Sequence, residues 1–235
     1  MEIVNISKLI KTLNPVNGCT AGCVYCYARK INNRFKITPD FAIPEFSPHR
    51  LKQIKQTRKS QTYFMTSMSD FSDWQEEWRT IVFDYIKDFP QHNFIFLTKF
   101  PERIHFETEL QNVWIGATIT AKNEKRRIDS LRNNIKAKNY FLTFEPLLND
   151  LGELDLHDIK WIIIGPETGN RKGKVTVKRE WVDNIMRQVD QQNVSVFMKD
   201  SLVSVLNSDD MRQQLPFDNL GENKLEERQI SFDFQ

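Results

Sequence analysis

Short apolar runs rich in β-branched and aromatic residues recur along the chain at Thr62 to Met65, Phe94 to Leu97, Val113 to Ile119, Tyr140 to Phe144, Trp161 to Ile164 and Val194 to Met198. They read as strands, with a first strand expected near Ile10 to Leu13. Between them Trp74 to Asp88, Asn123 to Asn133 and Lys178 to Gln192 carry apolar residues at helical spacing and predict amphipathic helices. Strands alternating with helices argue for parallel βαβ units. About six to seven such units with no low-complexity linker predict one α/β domain over 1–235, a partial or near-complete parallel (β/α) barrel, with residues 203–235 as a C-terminal extension or tail. An open doubly wound sheet is the alternative. Gly221 to Gln235 is polar and closes on an alternation of Ile230, Phe232 and Phe234, which reads as a short edge strand or a mobile tail.

The apolar runs stop in polar clusters: Thr66 to Asp70, Thr98-Lys99, Thr118 to Thr120, Glu145-Pro146, Gly165 to Gly169 and Lys199-Asp200. In a parallel barrel the carboxyl ends of the strands converge on one face, where active sites are built. Turn chemistry alone favours Asn, Gly, Asp and Ser. It does not ask for Lys99, Glu145, Glu167 or Lys199, which are therefore candidate catalytic or substrate-facing groups. A Lys99–Glu145 ion pair in the barrel mouth is the structural alternative. Phe71, Trp74 and Trp78, at near-helical spacing, are assigned to the core.

Composition narrows the class without naming a substrate. A chain of 235 residues with 40% hydrophobic content can bury a sizeable core, and no apolar run is long enough to span a bilayer. With 33 basic and 31 acidic residues the net charge is +2, so no global electrostatic footprint demands a nucleic acid or an anionic membrane. A polynucleotide substrate stays open. The basic segments Lys30 to Lys36, His49 to Lys59 and Lys122 to Arg127 read as solvated faces or as phosphate contacts. His49, His92, His105 and His157 stand apart from one another in the sequence and form no metal or nucleophile constellation.

The chemistry concentrates in one loop. Cys19, Cys23 and Cys26 are the chain's only cysteines and lie within eight residues of a segment rich in Asn, Gly and Thr. Such a segment reads as a loop, which argues against three thiols packed in a core. An odd count in a chain of this length, with no apolar N-terminal leader, argues against a disulfide framework and for a cytoplasmic location where thiols stay reduced. Structural zinc needs a fourth ligand such as His49 and usually two ligand doublets. Iron–sulfur cubanes normally take four thiolates, so three leave one iron open.

The C-x3-C-x2-C spacing, with Tyr25 before the last cysteine, resembles the signature loop of the radical SAM enzymes. Asn14 to Cys19, Cys26 to Ala28, Leu97 to Arg103, Phe144 to Leu148 and Ile162 to Gly169 further resemble the blocks of a phage-associated, radical-SAM-like family of unknown function, itself distantly similar to the spore photoproduct lyase branch. The likeness spans roughly Leu13 to Leu202. Many members of that family space the first two cysteines more widely, so this loop is nearer the general radical SAM form.

The resemblance implies that Cys19, Cys23 and Cys26 hold a [4Fe-4S] cluster whose open iron is chelated by S-adenosylmethionine (SAM). Tyr25 then lies near the adenine, and Ser67 to Asp70, including Ser69, take the place of the segment that contacts the SAM amino group. Asp70 would accept from that ammonium, the alternative being an N-cap of the following helix. Thr118 and Glu145 become candidates for the ribose and methionine moiety, Gly165 for close approach of backbone to the adenine, and Lys99, Arg103, Glu167 and Lys199 for the substrate or the SAM carboxylate. The implied activity is reductive cleavage of SAM to a 5′-deoxyadenosyl radical that abstracts hydrogen from a nucleic acid, nucleotide or other small molecule. An electron donor such as a flavodoxin or ferredoxin is implied as a partner. The competing class is a non-catalytic zinc or iron–sulfur barrel with a structural or partner-binding role.

Overall fold

Seven strands form one all-parallel sheet whose spatial order is the sequence order: β1 (Ile10–Thr12), β2 (Thr62–Phe64), β3 (Asn93–Thr98), β4 (Val113–Thr118), β5 (Asn139–Phe144), β6 (Ile159–Ile164) and β7 (Ser195–Met198). In this computed structural model, which describes residues 2–217, every strand pairs with the one before it, and β1 and β7 remain separate edges. The order never reverses, which excludes the doubly wound alternative and gives a curled half-barrel. The expected Ile230–Phe234 alternation lies outside the described residues.

Four helices of nine residues or more flank the sheet among the described residues: α1 (Tyr27–Phe35), α2 (Glu76–Ile86), α3 (Arg126–Asn134) and α4 (Arg179–Gln192). The last three fall where the apolar spacing places them; α1 lies outside the three expected helices. The crossover from β5 to β6 has no helix, and that from β3 to β4 has only a single 3-10 turn at Pro101–Arg103, besides a two-residue strand. These thin crossovers leave the barrel partial.

Strand alternation divides the core into two layers. Phe94, Phe96, Ile115, Leu142, Ile162, Ile164 and Val196 face outward and pack with Val82, Ile86, Leu131, Ile185 and Val189 of the helices. Ile95, Trp114, Phe141, Trp161, Ile163 and Phe197 point to the concave side. Burial of Phe141 or Phe197 there stabilises the fold by on the order of 2–3 kcal/mol each. Gly116 belongs to this inner face because a Cβ would sit 2.4 Å from the Phe141 ring.

Residues 211–217 of the expected tail are part of this packing. Met198 N donates to Arg212 O and Gln214 N to Val196 O, each at 2.7 Å, so the chain doubles back along β7. Phe217 then packs edge-on against Trp114 and Trp161, with centroids 5.2 and 5.4 Å away. The Gln213 amide accepts from Val4 N at 2.8 Å and donates to Val4 O at 2.9 Å and Met198 O at 3.0 Å, linking the two edges of the half-barrel. No helix among the described residues is long and apolar enough to cross a membrane.

Candidate active site

The cysteine loop is fastened to the carboxyl end of the sheet by backbone groups. Gly18 adopts φ +108°, and a Cβ there would lie 2.6 Å from Ile43 O, so the close approach and the left-handed backbone both require glycine. Gly18 N donates to Met68 O at 2.9 Å and Cys19 N to Phe41 O at 2.7 Å. Thr20 donates through N and Oγ1 to the Asp73 carboxylate at 2.8 and 2.7 Å, tying the loop to the turn after β2.

All three thiols are free and partly buried. Cys26 is the N-cap of α1, its Sγ accepting from Arg29 N at 3.3 Å, and Cys19 Sγ accepts from Ala21 N at 3.4 Å. Burial pushes the Cys19 thiol up to about 12, against the pull of the Ala21 N–H, with the Asp70 and Asp73 charges adding to the rise. Among the described residues no three His, Cys, Asp or Glu side chains are gathered into a metal-holding group. By donor chemistry the set fits an iron–sulfur centre: three thiols on one loop, two already receiving N–H bonds of the kind that stabilise sulfur-borne negative charge.

Counting alternate residues from the inner-face Ile95, Trp114, Phe141, Ile163 and Phe197 carries Lys99, Thr118, Thr143, Glu145, Gly165 and Lys199 to the inner side of the mouth. Contacts bear this out. Thr143 Oγ1 donates to Thr118 Oγ1 at 3.1 Å, and Lys199 Nζ meets Glu145 Oε1 at 2.5 Å. A Cβ on Gly165 would lie 3.0 Å from Lys199 Cδ and 3.2 Å from Glu145 Cδ, so this glycine leaves room for the ion pair. The alternative Lys99–Glu145 pair is not formed; Lys199, at the end of β7, pairs with Glu145. Lys99 Nζ instead sits 3.5 Å from Tyr25 Oη and 5.5 Å from the Tyr25 ring centroid. Burial lowers its pKa, and among the described residues no carboxylate lies within ion-pair distance of it. Burial, then the neighbouring Cys23, raises that of Tyr25.

Asp70 joins two strand ends. Its Oδ1 accepts from Ser72 N (3.0 Å), Ser72 Oγ (2.9 Å) and Thr98 Oγ1 (2.5 Å), and Oδ2 from Lys99 N (2.8 Å). Burial raises its pKa although all these bonds pull the other way. It caps the 3-10 turn Phe71–Asp73, whereas the N-cap of α2, the following helix, is Gln75. Ser67 Oγ is bonded to Asn14 Oδ1 at 2.9 Å, and Ser69 Oγ accepts from Trp74 Nε1 at 3.0 Å. Glu167 turns to its own loop: Arg171 reaches both carboxylate oxygens, at 2.6 and 2.8 Å, and holds the acid below the usual carboxylate range. Arg103 stacks over Phe100 at 3.7 Å.

Three participants escape a reading of the strand ends. Asn14 accepts from Ser67 Oγ and from Met68 N, linking the β1 and β2 ends. Tyr27 Oη donates to Ser67 O at 2.6 Å, and burial pushes that phenol up to about 12. Glu124 Oε2 accepts from Thr120 N and Oγ1 at 2.7 and 2.8 Å and pairs with Arg127, which donates to Thr118 O. Only Asn14 has a local signal, its place just after the first apolar run; the others depend on tertiary approach.

The architecture is thus a parallel α/β half-barrel with a three-cysteine loop at the carboxyl ends of its strands. The chain belongs to the DUF5131 family, described as "Protein of unknown function", whose model matches residues 4–211. Among solved structures it is similar to a spore photoproduct lyase, a cysteine-to-alanine mutant, with 12% identity and a TM-score of 0.49 over 80% of this chain and 75% of that one. No curated protein matches it.

Proposed function

We propose that the protein is a radical SAM enzyme. The observation that carries this reading is the cysteine triad itself, in C-x3-C-x2-C spacing with Tyr25 beside it, anchored at the mouth of a parallel half-barrel. Cys19, Cys23 and Cys26 would hold a [4Fe-4S] cluster, with SAM on the remaining iron. When bound, that pair supplies a one-electron cleavage of SAM and a 5′-deoxyadenosyl radical that removes hydrogen from a substrate.

The chain's own groups prepare the mouth for such chemistry. Ala21 N–H and Arg29 N–H offset negative charge on two of the sulfurs. Lys99, half-buried and without a carboxylate at ion-pair distance, is suited to an anionic group of SAM or substrate, which would replace water around its ammonium. Thr118, Thr143 and the Glu145–Lys199 pair present hydroxyls and charges on the inner wall, where they would orient polar parts of a ligand. The aromatic floor of Trp114, Phe141 and Trp161 closes the concave side below them and excludes water.

Anaerobic reconstitution with iron and sulfide, followed by dithionite and SAM, tests the reading. The expected result is a brown protein whose electron paramagnetic resonance signal changes on adding SAM and which releases 5′-deoxyadenosine. A folded protein that takes up no cluster, or that binds colourless zinc alone, overturns it.

A further inference from the structure

A cavity of about 260 Å³ opens at the carboxyl ends of β6 and β7, between the loop 166–177 and the 3-10 turn Asp200–Ser204. It starts one residue past Gly165 and two past Lys199, so it adjoins the mouth on the β6–β7 side. Ser201 lines it, and Ser201 Oγ is buried with no hydrogen-bond partner among the described residues. A buried hydroxyl in that state is costly, and a native protein rarely keeps one unless something else bonds to it. Gly169, also on the lining, stands at φ +83° with open space where a Cβ would point, so the loop backbone is uncovered there.

The charges around the cavity select an anion. From Thr168 through Arg179 the chain carries Arg171, Lys172, Lys174, Lys178 and Arg179 and no acidic residue. Glu167 is the carboxylate on the lining, and Arg171 holds both of its oxygens, which neutralises it. Lys174 lines the cavity as well; it lies near enough to Glu167 to lower its pKa further, yet forms no ion pair with a carboxylate among the described residues. One positive charge is therefore left over. Thr168, Thr176 and Ser204 add hydroxyls, while Val175, Val177 and Val205 supply apolar wall. An ammonium with several hydroxyl donors suits a group with three terminal oxygens and more charge than a carboxylate. The apolar wall suits a carbon skeleton attached to that group.

We infer that this cavity binds the phosphate monoester group of a small molecule, with Lys174 and the Ser201 hydroxyl as its principal contacts. The inference goes beyond the proposed function and does not depend on it.

Isothermal titration calorimetry on the full chain, at constant ionic strength, compares methyl phosphate, a monoester, with dimethyl phosphate, the diester of a polynucleotide backbone, and with acetate. Methyl phosphate should bind in the millimolar range and at least ~10-fold more tightly than either of the others. Lys174→Ala and Ser201→Ala should each weaken it at least ~5-fold, and Lys174→Arg should restore most of the loss. Lys87→Ala, exposed at the end of α2 that leads to the amino end of β3, should change nothing. Circular dichroism confirms that each variant is folded. No binding of methyl phosphate, binding that either alanine variant leaves intact, or equal binding of dimethyl phosphate or acetate overturns the inference. An oligonucleotide without terminal phosphates that binds more tightly, and loses affinity with the same variants, also overturns it. None of these measurements needs iron or SAM, so failure here is distinguishable from failure of the proposed function.

Discussion

On the β5 to β7 side of the barrel mouth, the acids singled out by the strand ends have cations of their own: Glu145 has Lys199 and Glu167 has Arg171. On the β1 to β3 side, three thiols and the Lys99 ammonium have no ionic partner among the described residues, and Asp70 is bonded to hydroxyl and backbone donors. Lys99 is half-buried, and the Cys23, Asp70 and Glu124 charges act on it from beyond ion-pair distance. The two sides therefore differ in how their charged groups are held, by ion pairs on one and by hydroxyl and backbone donors on the other.

Breaking the unpaired side should have the largest effect. Alanine at Cys19, Cys23 or Cys26 should reduce cluster uptake and 5′-deoxyadenosine release to background, while changing unfolding free energy by only about 1 kcal/mol, as for a partly buried loop residue. Iron content with urea denaturation measures both. Asp70→Ala should come next, lowering stability by about 3 kcal/mol in urea, because it orphans the Thr98, Ser72 and Lys99 donors in a buried site.

Changes on the paired side should cost less stability than Asp70→Ala. Gly165→Ala places a Cβ 3.0 Å from Lys199 Cδ and should cost about 1 kcal/mol as the Lys199–Glu145 pair shifts, read as a lower denaturation midpoint. Glu167→Gln should have the smallest effect, about 1 kcal/mol, with a diagnostic pH dependence. Arg171 depresses the folded carboxyl, so its contribution is complete above the unfolded value of about 4.3 and is lost as pH falls through the lower folded value. The difference in melting temperature between wild type and variant should therefore be largest near neutral pH and close in acid. A gap that widened in acid would contradict the ion pair.

The strands after β1 were legible because they lie in short, largely apolar runs bounded by polar residues, and a parallel sheet covered on both faces needs such runs. Phe71 and Trp74 belong to the core as their spacing suggests, at 0% and 1% exposure. Helix α1 was not among the expected helices although Tyr27, Ile31 and Phe35 stand at helical spacing, because the row is only three residues long and basic and amide residues fill the positions between. The cysteine loop could be found from spacing alone. The partner of Glu145 could not: Lys99 and Lys199 are alike in sequence, and only the curl of the sheet sets β7 beside β5's end across β6. Gly165, a candidate from sequence for close approach of a ligand, also leaves room for these two side chains.

The fold-back of residues 212–214 along β7 has a consequence for the sheet as a surface. An open parallel sheet offers unpaired N–H and C=O groups at its margin, a template for other chains. Arg212 O and Gln214 N occupy those of Met198 and Val196. A chain shortened just before Arg212 would keep all seven strands yet bare that margin, so its first defect should be self-association rather than unfolding.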